Sequence, residues 1–142
     1  MILQIDHTAI SVPDLEQALA FYCGLLGFEI EVRSDWQAGN EVNDTVIGAR
    51  DTAAKSALIK AGGTRIELFE YQNPPGKPAE AHPVWDHGIT HICFNVADIY
   101  AEYRRLCAAG IAFNSAPVAM GRWFFVYGRD PFGNFFELKQ RG

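Results

Sequence analysis

A repeated motif divides the chain into two similar halves. The stretch HTAISVPDLEQALAFY begins at His7 and HICFNVADIYAEYRRL begins at His91, an offset of 91 − 7 = 84 residues. In each copy a histidine opens a β-like run, a valine follows five positions on, and an aspartate stands where a helix would begin. The motif therefore predicts that one strand–helix unit occurs twice.

The similarity continues beyond the motif. After the first helix, FEIEVRSDW alternates like a strand, and AAKSALIKAGGTRIELFEY is typical of a hairpin turning at Gly62 and Gly63. The second half follows the same order, with strand GITHICFNV, helix DIYAEYRRLCAAG, a short strand near IAFNS, and a hairpin around Asp130 to Gly133. Each half is thus predicted to be a βαβββ module, which makes the fold class α+β.

A proline-rich connector, QNPPGKPAEAHPVWD, separates the two halves. We predict a first module at 1–72, a connector at 73–87 and a second module at 88–142, all within one domain of residues 1–142. A chain of this size buries about two thirds of the surface that its unfolded form exposes, which is enough for a substantial core.

Each half also ends alike. GTRIEL and GNFFEL place a glutamate four residues after a glycine, at Glu67 and Glu137. Strand alternation places these glutamates and the two histidines on faces opposite the apolar residues, which are expected to pack on the helices. If the sheet curves around that polar face, His7, Glu67, His91 and Glu137 converge. Two imidazoles and two carboxylates suit Mn, Fe, Co, Ni or Zn.

Composition excludes several partners. The net charge is −5, and the 12 Lys and Arg are scattered, which argues against nucleic-acid binding. The N-terminal stretch lacks a basic region and is too short to span a bilayer, so we expect neither a signal peptide nor a membrane segment. Three cysteines without a CxxC pair indicate a reducing compartment, and we predict a cytoplasmic protein.

Other residues are candidates for the substrate site. In RWFFVY, the aromatic face that holds Phe125 and Tyr127 is expected to line the cup that the curved sheet would form around the polar face. Tyr127 would form a hydrogen bond with a ligand oxygen, and Phe125 would supply an apolar wall. The same stripe also suits core or a dimer interface. Cys93 shares the face of His91, but a small buried apolar residue is the expected role for it and for Cys107.

The segment QAGNEVNDTVIGARD, residues 37–51, is polar and irregular. It is expected to be either a mobile flap over the cup or a plain surface loop. As a flap it would supply Glu41, Asp44 and Arg50 as base or anion-binding groups.

These motifs together resemble the vicinal oxygen chelate superfamily of glyoxalase I, methylmalonyl-CoA epimerase and the extradiol dioxygenases. The resemblance runs from HTAISVPDLEQALAFYCGLLGF through RIELFEY and GITHICFNVADI to YGRDPFGNFFEL. It implies a glyoxalase-like fold in which paired modules form a curved-sheet metal-binding cup. The family's ligand pattern falls on His7, Glu67, His91 and Glu137, for one divalent ion per site.

The resemblance implies a divalent-metal-dependent isomerase, epimerase or lyase. Its small-molecule substrate would be chelated through adjacent oxygens and react via an enolate-type intermediate, with Glu137 as the first choice of base and Glu67 as the second. Arg65 and Lys139 are candidates for binding an anionic group. We also expect a homodimer; whether the cup is built within one chain or across a swapped dimer stays open.

Departures from glyoxalase I bear on the substrate. Bacterial glyoxalase I resembles HTMLRV and ELTYN, and here Ser11 and Tyr71 stand at the positions of its arginine and asparagine. A glutathione substrate is therefore not expected, a CoA thioester stays open, and Tyr71 joins the predicted substrate-binding residues. The alternatives are a ring-cleaving dioxygenase, which generally uses only three protein ligands, and a bleomycin-type binding protein, which typically lacks the metal residues.

Overall fold

The structure, a computed structural model, describes residues 1–78 and 83–142. The chain divides into two compact units, Met1–Pro78 and Ala79–Gly142. The finer division predicted from the sequence, 1–72, 73–87 and 88–142, stays a prediction.

The elements of the first unit are β1 (His7–Ser11), α1 (Leu15–Leu19) with a π-helical continuation (Ala20–Leu25), β2 (Glu29–Trp36), α2 (Glu41–Ile47), β3 (Ala53–Ala61) and β4 (Thr64–Asn73). The strands form one four-stranded sheet in the order β1-β4-β3-β2, with β1 parallel to β4 and the other pairs antiparallel. The hairpin between β3 and β4 turns at Gly62 and Gly63, as predicted, and Gly62 has a positive φ of 57°.

The second unit repeats this plan. The elements are β5 (His91–Asn95), α3 (Ile99–Ala108), β6 (Val118–Met120), β7 (Trp123–Arg129) and β8 (Phe135–Arg141). The sheet has the order β5-β8-β7-β6, with β5 parallel to β8. The predicted α+β class and the βαβββ order are confirmed in both units.

The second predicted strand of the second unit is displaced. We expected it near IAFNS, residues 111–115, but β6 begins at Val118, and Phe113 forms only an isolated bridge to Gly128. Pro117 has no backbone N–H to donate to a neighbouring strand, so regular pairing begins only after it.

The repeated aspartate caps a helix in each unit. The side chain of Asp14 accepts a hydrogen bond from the backbone N–H of Gln17, and Asp98 accepts one from Ala101, each at 2.9 Å. In each unit, the valine two residues before this aspartate ends the strand by donating its backbone N–H to a carbonyl of the neighbouring strand. This pair of roles explains why valine and aspartate recur at fixed spacing from the histidine.

A second link between helix and sheet was not predicted. The backbone N–H of Leu15, at the start of α1, donates to Glu70 of β4 at 2.9 Å. The N–H of Ile99, at the start of α3, donates to Gln140 of β8 at 2.7 Å. Each final strand therefore holds the first turn of its helix with a side-chain oxygen, three residues after Glu67 or Glu137.

The predicted alternation of faces is confirmed. Ile66 and Leu68 are buried beside α1, while Glu67 between them reaches the opposite face; Phe136 and Leu138 are likewise buried around Glu137. Burial of one such side chain stabilises the fold by about 1.5–3 kcal/mol. This burial prevents a one-residue slip of register, which would turn the glutamates toward the core.

Residues 37–51, expected to be an irregular segment that forms either a flap or a surface loop, contain helix α2. Asn40 caps its first turn, and Gly48 ends it in the left-handed conformation. Asp44 accepts hydrogen bonds from the N–H of Asp51 and from both the N–H and the hydroxyl of Thr52, and these bonds hold the pKa of the Asp44 carboxyl below its usual range. The carboxylate is therefore engaged within its own segment, which corrects its expected role as a flap base.

No helix within the described ranges is long and apolar enough to cross a membrane.

Candidate functional site

In the first unit, the parallel strands β1 and β4 bring a histidine and a glutamate together. The Nε2 atom of His7 lies 3.2 Å from Oε2 of Glu67. The His7 side chain is 38% exposed and that of Glu67 is 25% exposed. Both point away from the helix-covered face of the sheet, as the alternation predicts.

The second unit contains the same pair in the same geometry. Strands β5 and β8 place Nε2 of His91 at 3.2 Å from Oε2 of Glu137. This pair is less accessible, since His91 is 26% exposed and Glu137 only 12%. The sequence repeat therefore extends to the atoms that face each other.

The other ring nitrogen of each histidine is also bonded. Nδ1 of His7 is 2.9 Å from Oδ2 of Asp6, and Nδ1 of His91 is 2.8 Å from the hydroxyl of Thr90. Histidines that bind metals typically hold Nδ1 in this way and present Nε2 to the ion. The sequence reasoning missed both partners, although each directly precedes a predicted ligand.

The chemistry of these pairs fits a divalent ion. Two ligand atoms about 2.1 Å from one ion and at right angles to each other lie about 3 Å apart, close to the nitrogen–oxygen separation in each pair. Within residues 1–78 and 83–142, no three or more His, Cys, Asp and Glu side chains form a ready metal cluster. Each unit by itself thus brings together one imidazole and one carboxylate.

Charged residues surround the pair of the first unit. Arg65 donates through Nε to Glu31 at 2.6 Å and through Nη1 to Asp6 at 3.1 Å. The hydrogen bond to His7, and secondarily the charge of Arg65, lowers the pKa of the Asp6 carboxyl. An anionic substrate group at Arg65, as predicted, would compete with two carboxylates that are already in place.

Aromatic residues follow Glu67 along the same face of β4. Tyr71 stacks on Phe69 with ring centroids 5.7 Å apart, and Trp36 meets each of them edge-on at 6.1 Å. The indole N–H of Trp36 donates to the buried hydroxyl of Thr52, which fixes the ring. Tyr71, a predicted substrate residue, is therefore part of an aromatic cluster in the first unit.

The pair of the second unit has an aromatic neighbour instead. Tyr127 lies directly opposite Glu137 in the β7–β8 register, and its ring contacts that of His91 edge-on with centroids 5.0 Å apart. Burial, and then the charge of Glu137, raises the pKa of the Tyr127 hydroxyl. The hydroxyl thus keeps its proton and can donate a hydrogen bond near Glu137.

Phe125 and Lys139 are cross-strand partners on the same face as Tyr127. The ammonium group of Lys139 lies 4.2 Å from the centre of the Trp123 ring. A cation over an indole face is held in place without losing its charge. The structure therefore brings Tyr127, Phe125 and Lys139 onto the face that carries His91 and Glu137.

Cys93 differs from its predicted buried role. The residue is exposed on the open face of β5, directly opposite Glu137 in the β5–β8 register. Local desolvation of the thiol, followed by a hydrogen bond to Glu137, raises the pKa of Cys93 to about 12. Cys107 is also exposed, so the expectation of buried thiols is wrong for both. Alternation with His91 is the signal that places Cys93 beside the site.

Paired βαβββ units with a histidine on the first strand and a glutamate on the last define a class of protein. A family model described as the Glyoxalase/Bleomycin resistance protein/Dioxygenase superfamily matches residues 4–138, and the chain belongs to this superfamily. The resemblance inferred from the motifs is thereby confirmed.

Individual relatives agree with this assignment. The chain is 32% identical to an ethylmalonyl-CoA/methylmalonyl-CoA epimerase of Cereibacter sphaeroides, over 99% of both chains. It is 31% identical to a 2-epi-5-epi-valiolone epimerase of an Actinomyces species, over 94% of this chain and 77% of that protein. A glyoxalase family protein from Bacillus cereus superposes with a TM-score of 0.90 at 25% identity, covering 99% of this chain and 95% of that one. Such relatives support an enzyme of the isomerase or epimerase kind.

Proposed function

We propose that the protein is a divalent-metal-dependent isomerase or epimerase that moves a proton on a carbon next to a carbonyl group of a small substrate. The single observation that carries the proposal is the matched contact between a histidine Nε2 and a glutamate Oε2 in both units. Lyase chemistry through the same enolate-type intermediate belongs to the same proposal.

One ion is proposed to take ligands from both pairs, His7 with Glu67 and His91 with Glu137, whether in one chain or between two chains of a homodimer. Mixed nitrogen and oxygen donors suit Mn, Fe, Co, Ni or Zn. When bound, such an ion withdraws electron density from a substrate oxygen and so acidifies the neighbouring C–H group.

Glu137 is proposed as the base. It is the less exposed of the two glutamates and is flanked by two protonated donors, the Cys93 thiol and the Tyr127 hydroxyl. Its carboxylate would take the proton from carbon. Epimerisation returns a proton to the opposite face, which requires a second acid, and Glu67 is proposed for this role. A carboxylate in this role must loosen its hold on the ion during the cycle.

The remaining predicted residues would bind the substrate. The Tyr127 hydroxyl would donate to a substrate oxygen, and Phe125 would supply an apolar wall. Lys139 is the cation proposed for an anionic group, because its ammonium lies over the Trp123 ring and forms no ion pair with a carboxylate among the described residues, whereas Arg65 forms ion pairs with two carboxylates. Tyr71 would contact a more distant part of the substrate.

Metal content tests the proposal. Protein stripped with a chelator and reloaded with Mn, Co, Ni or Zn is expected to retain about one ion per chain, because imidazole and carboxylate donors are already paired and oriented. Elemental analysis after gel filtration measures the ratio. The matched control is a His7→Ala/Glu137→Ala double variant, which removes one ligand from each pair.

Wild-type protein that retains no more metal than the double variant would refute the enzyme proposal and favour a small-molecule binding protein of the bleomycin type. Retention of one redox-active ion, together with oxygen uptake on catechols, would favour a ring-cleaving dioxygenase instead. Light scattering of the loaded protein decides whether the expected homodimer forms.

Turnover of the hemithioacetal of glutathione and methylglyoxal is expected to be weak or absent. Ser11 and Tyr71 offer neither the arginine nor the asparagine that the resemblance associates with glutathione binding. The rate of product formation, followed by absorbance with a bacterial glyoxalase I as positive control, measures this. Turnover comparable to that of the control enzyme would show that these two positions do not determine the substrate.

A further inference from the structure

The two histidine–glutamate pairs differ in the group that contacts the Nδ1 atom of the histidine. The Nδ1 atom of His7 contacts the carboxylate of Asp6. Asp6 accepts a hydrogen bond from Arg65, which also donates one to Glu31. In the part of the chain that the structure describes, the partner of the His91 Nδ1 atom is the hydroxyl of Thr90. Asp6 and Thr90 occupy equivalent places in the repeat, since 90 − 6 gives the same offset of 84.

We propose that Asp6 is a positioning residue that holds His7 with its proton on Nδ1, and that Arg65 and Glu31 hold Asp6 in place. A carboxylate only accepts hydrogen bonds, so Asp6, at 2.9 Å from Nδ1, stabilises an N–H there. Glu67 also faces the ring, but at the longer distance of 3.2 Å from Nε2, so the shorter contact favours the proton on Nδ1 and leaves the Nε2 lone pair for an ion. The inference rests on the proposed function, because a presented Nε2 matters for binding an ion.

Thr90 imposes no such choice on His91. A hydroxyl both donates and accepts, so His91 can carry its proton on either nitrogen beside it. His7 is therefore the fixed member of the first pair, while Glu67 beside it can still exchange a proton. The pair of the second unit, which contains the proposed base Glu137, is free to change its hydrogen bonds during a proton transfer.

Charge supports the same division. Asp6 and Glu31 place two carboxylates around the Arg65 guanidinium, and Lys60 adds a second positive charge near Glu31, so these groups balance one another and leave the Glu67 carboxylate as the negative charge beside His7. Negative charge next to neutral imidazole favours a cation over an anionic substrate. The network thus assigns Arg65 to the support of Asp6, in place of the anion-binding role predicted from the sequence.

Long-range proton–nitrogen NMR of the metal-free protein tests the inference without any activity. At alkaline pH, wild-type His7 is expected to carry its proton on Nδ1. In Asp6→Ala it should shift toward Nε2–H, the form that a free imidazole favours, whereas Asp6→Asn keeps an acceptor oxygen and should retain the wild-type signature. His91 serves as the internal control and should not change. Asp6 is 58% exposed, so its replacement is not expected to unfold the protein.

Zinc affinity, measured by competition with a chromophoric chelator, provides the second readout. Asp6→Ala is expected to weaken binding about 10- to 100-fold, on the scale of changes behind a metal-bound histidine. Asp6→Asn should recover most of the loss, and Thr90→Val should weaken binding less than Asp6→Ala. Arg65→Met is expected to weaken zinc binding while leaving the binding of inorganic phosphate unchanged.

An unchanged His7 tautomer in Asp6→Ala would overturn the inference, as would equal losses of zinc affinity in Asp6→Ala and Thr90→Val. Loss of phosphate binding in Arg65→Met with zinc affinity intact would return Arg65 to the anion-binding role. If wild-type protein binds no zinc, the proposed function fails, and the His7 tautomer alone then decides whether Asp6 positions that ring.

Discussion

Replacing Glu137 with glutamine is expected to slow exchange of a carbon-bound substrate proton with deuterated water by about a hundredfold or more. Glutamine keeps an oxygen that an ion can bind but cannot take up a proton. The loss should therefore fall on turnover, and metal content should survive much better. Exchange is measured by proton NMR on metal-loaded protein with a methylmalonyl thioester, a keto acid and an α-hydroxy ketone.

Two matched variants make this experiment specific. Glu67→Gln makes the same change in the other pair and tests which glutamate is the base. Glu70→Gln removes a carboxylate that lies outside both pairs and accepts from the N–H of Leu15. The structure indicates that an amide fills that role, since Gln140 accepts from Ile99 at the equivalent place. Glu70→Gln should therefore leave exchange unchanged.

The results of these variants separate the possible roles. If Glu137→Gln lost its metal while Glu67→Gln kept metal and lost turnover, the roles of the two glutamates would be exchanged. If wild-type protein exchanged no proton on any compound of the panel, proton abstraction from carbon would be rejected in favour of oxygen-dependent chemistry or sequestration.

Replacing Gly128 with alanine is expected to lower the free energy of unfolding by about 1–3 kcal/mol, as overpacking of a filled core typically does. A methyl group at this position in β7 would lie 2.5 Å from Cζ of Phe136 and 2.9 Å from Cε1 of Phe113. Phe136 is buried, with only 3% of its surface exposed, so its ring has little room to move. Urea unfolding followed by circular dichroism measures the change.

Gly24 provides the control for this prediction. It lies in the π-helical segment, has no positive φ, and an added methyl group would meet no atom within 4 Å. Alanine there is expected to be neutral or to stabilise by up to about 1 kcal/mol, because glycine is a poor helix former. Equal effects of the two substitutions would contradict the steric argument for Gly128. A loss at Gly128 alone would confirm that close packing against two phenyl rings requires glycine.

Much of the fold was predictable because its signals are local. The repeat from His7 and His91, the capping aspartates and the glycine turns each depend on residues a few positions apart. Period-two alternation then placed Glu67 and Glu137 on the faces opposite the buried residues. No distant contact is needed to draw any of these conclusions.

Other features were not predictable from local pattern. Helix α2 forms in a polar segment because Asn40 caps it and Asp44 is bound by Thr52, and β6 begins late because Pro117 interrupts pairing. The exposure of Cys93 also differed from expectation. Cys93 lies on the open face of β5 and is exposed to solvent, which its apolar neighbours in the sequence did not indicate.

The sequence by itself determined the βαβββ order of each unit, and its motifs carried the resemblance that gave the family and the four residues proposed as metal ligands. The order follows from the periodic spacing of residues, and the ligand set from the repeated histidine and glutamate that match the family pattern. Only the tertiary structure decided which side chains touch the ligands. Parallel pairing of β1 with β4 and of β5 with β8 brings together residues that are far apart in the chain. Arg65 and Asp6 are 65 − 6 = 59 positions apart, and Glu137 and Cys93 are 137 − 93 = 44 positions apart. Contacts across such separations depend on strand register, which is set by burial over the whole sheet and not by any short stretch of residues.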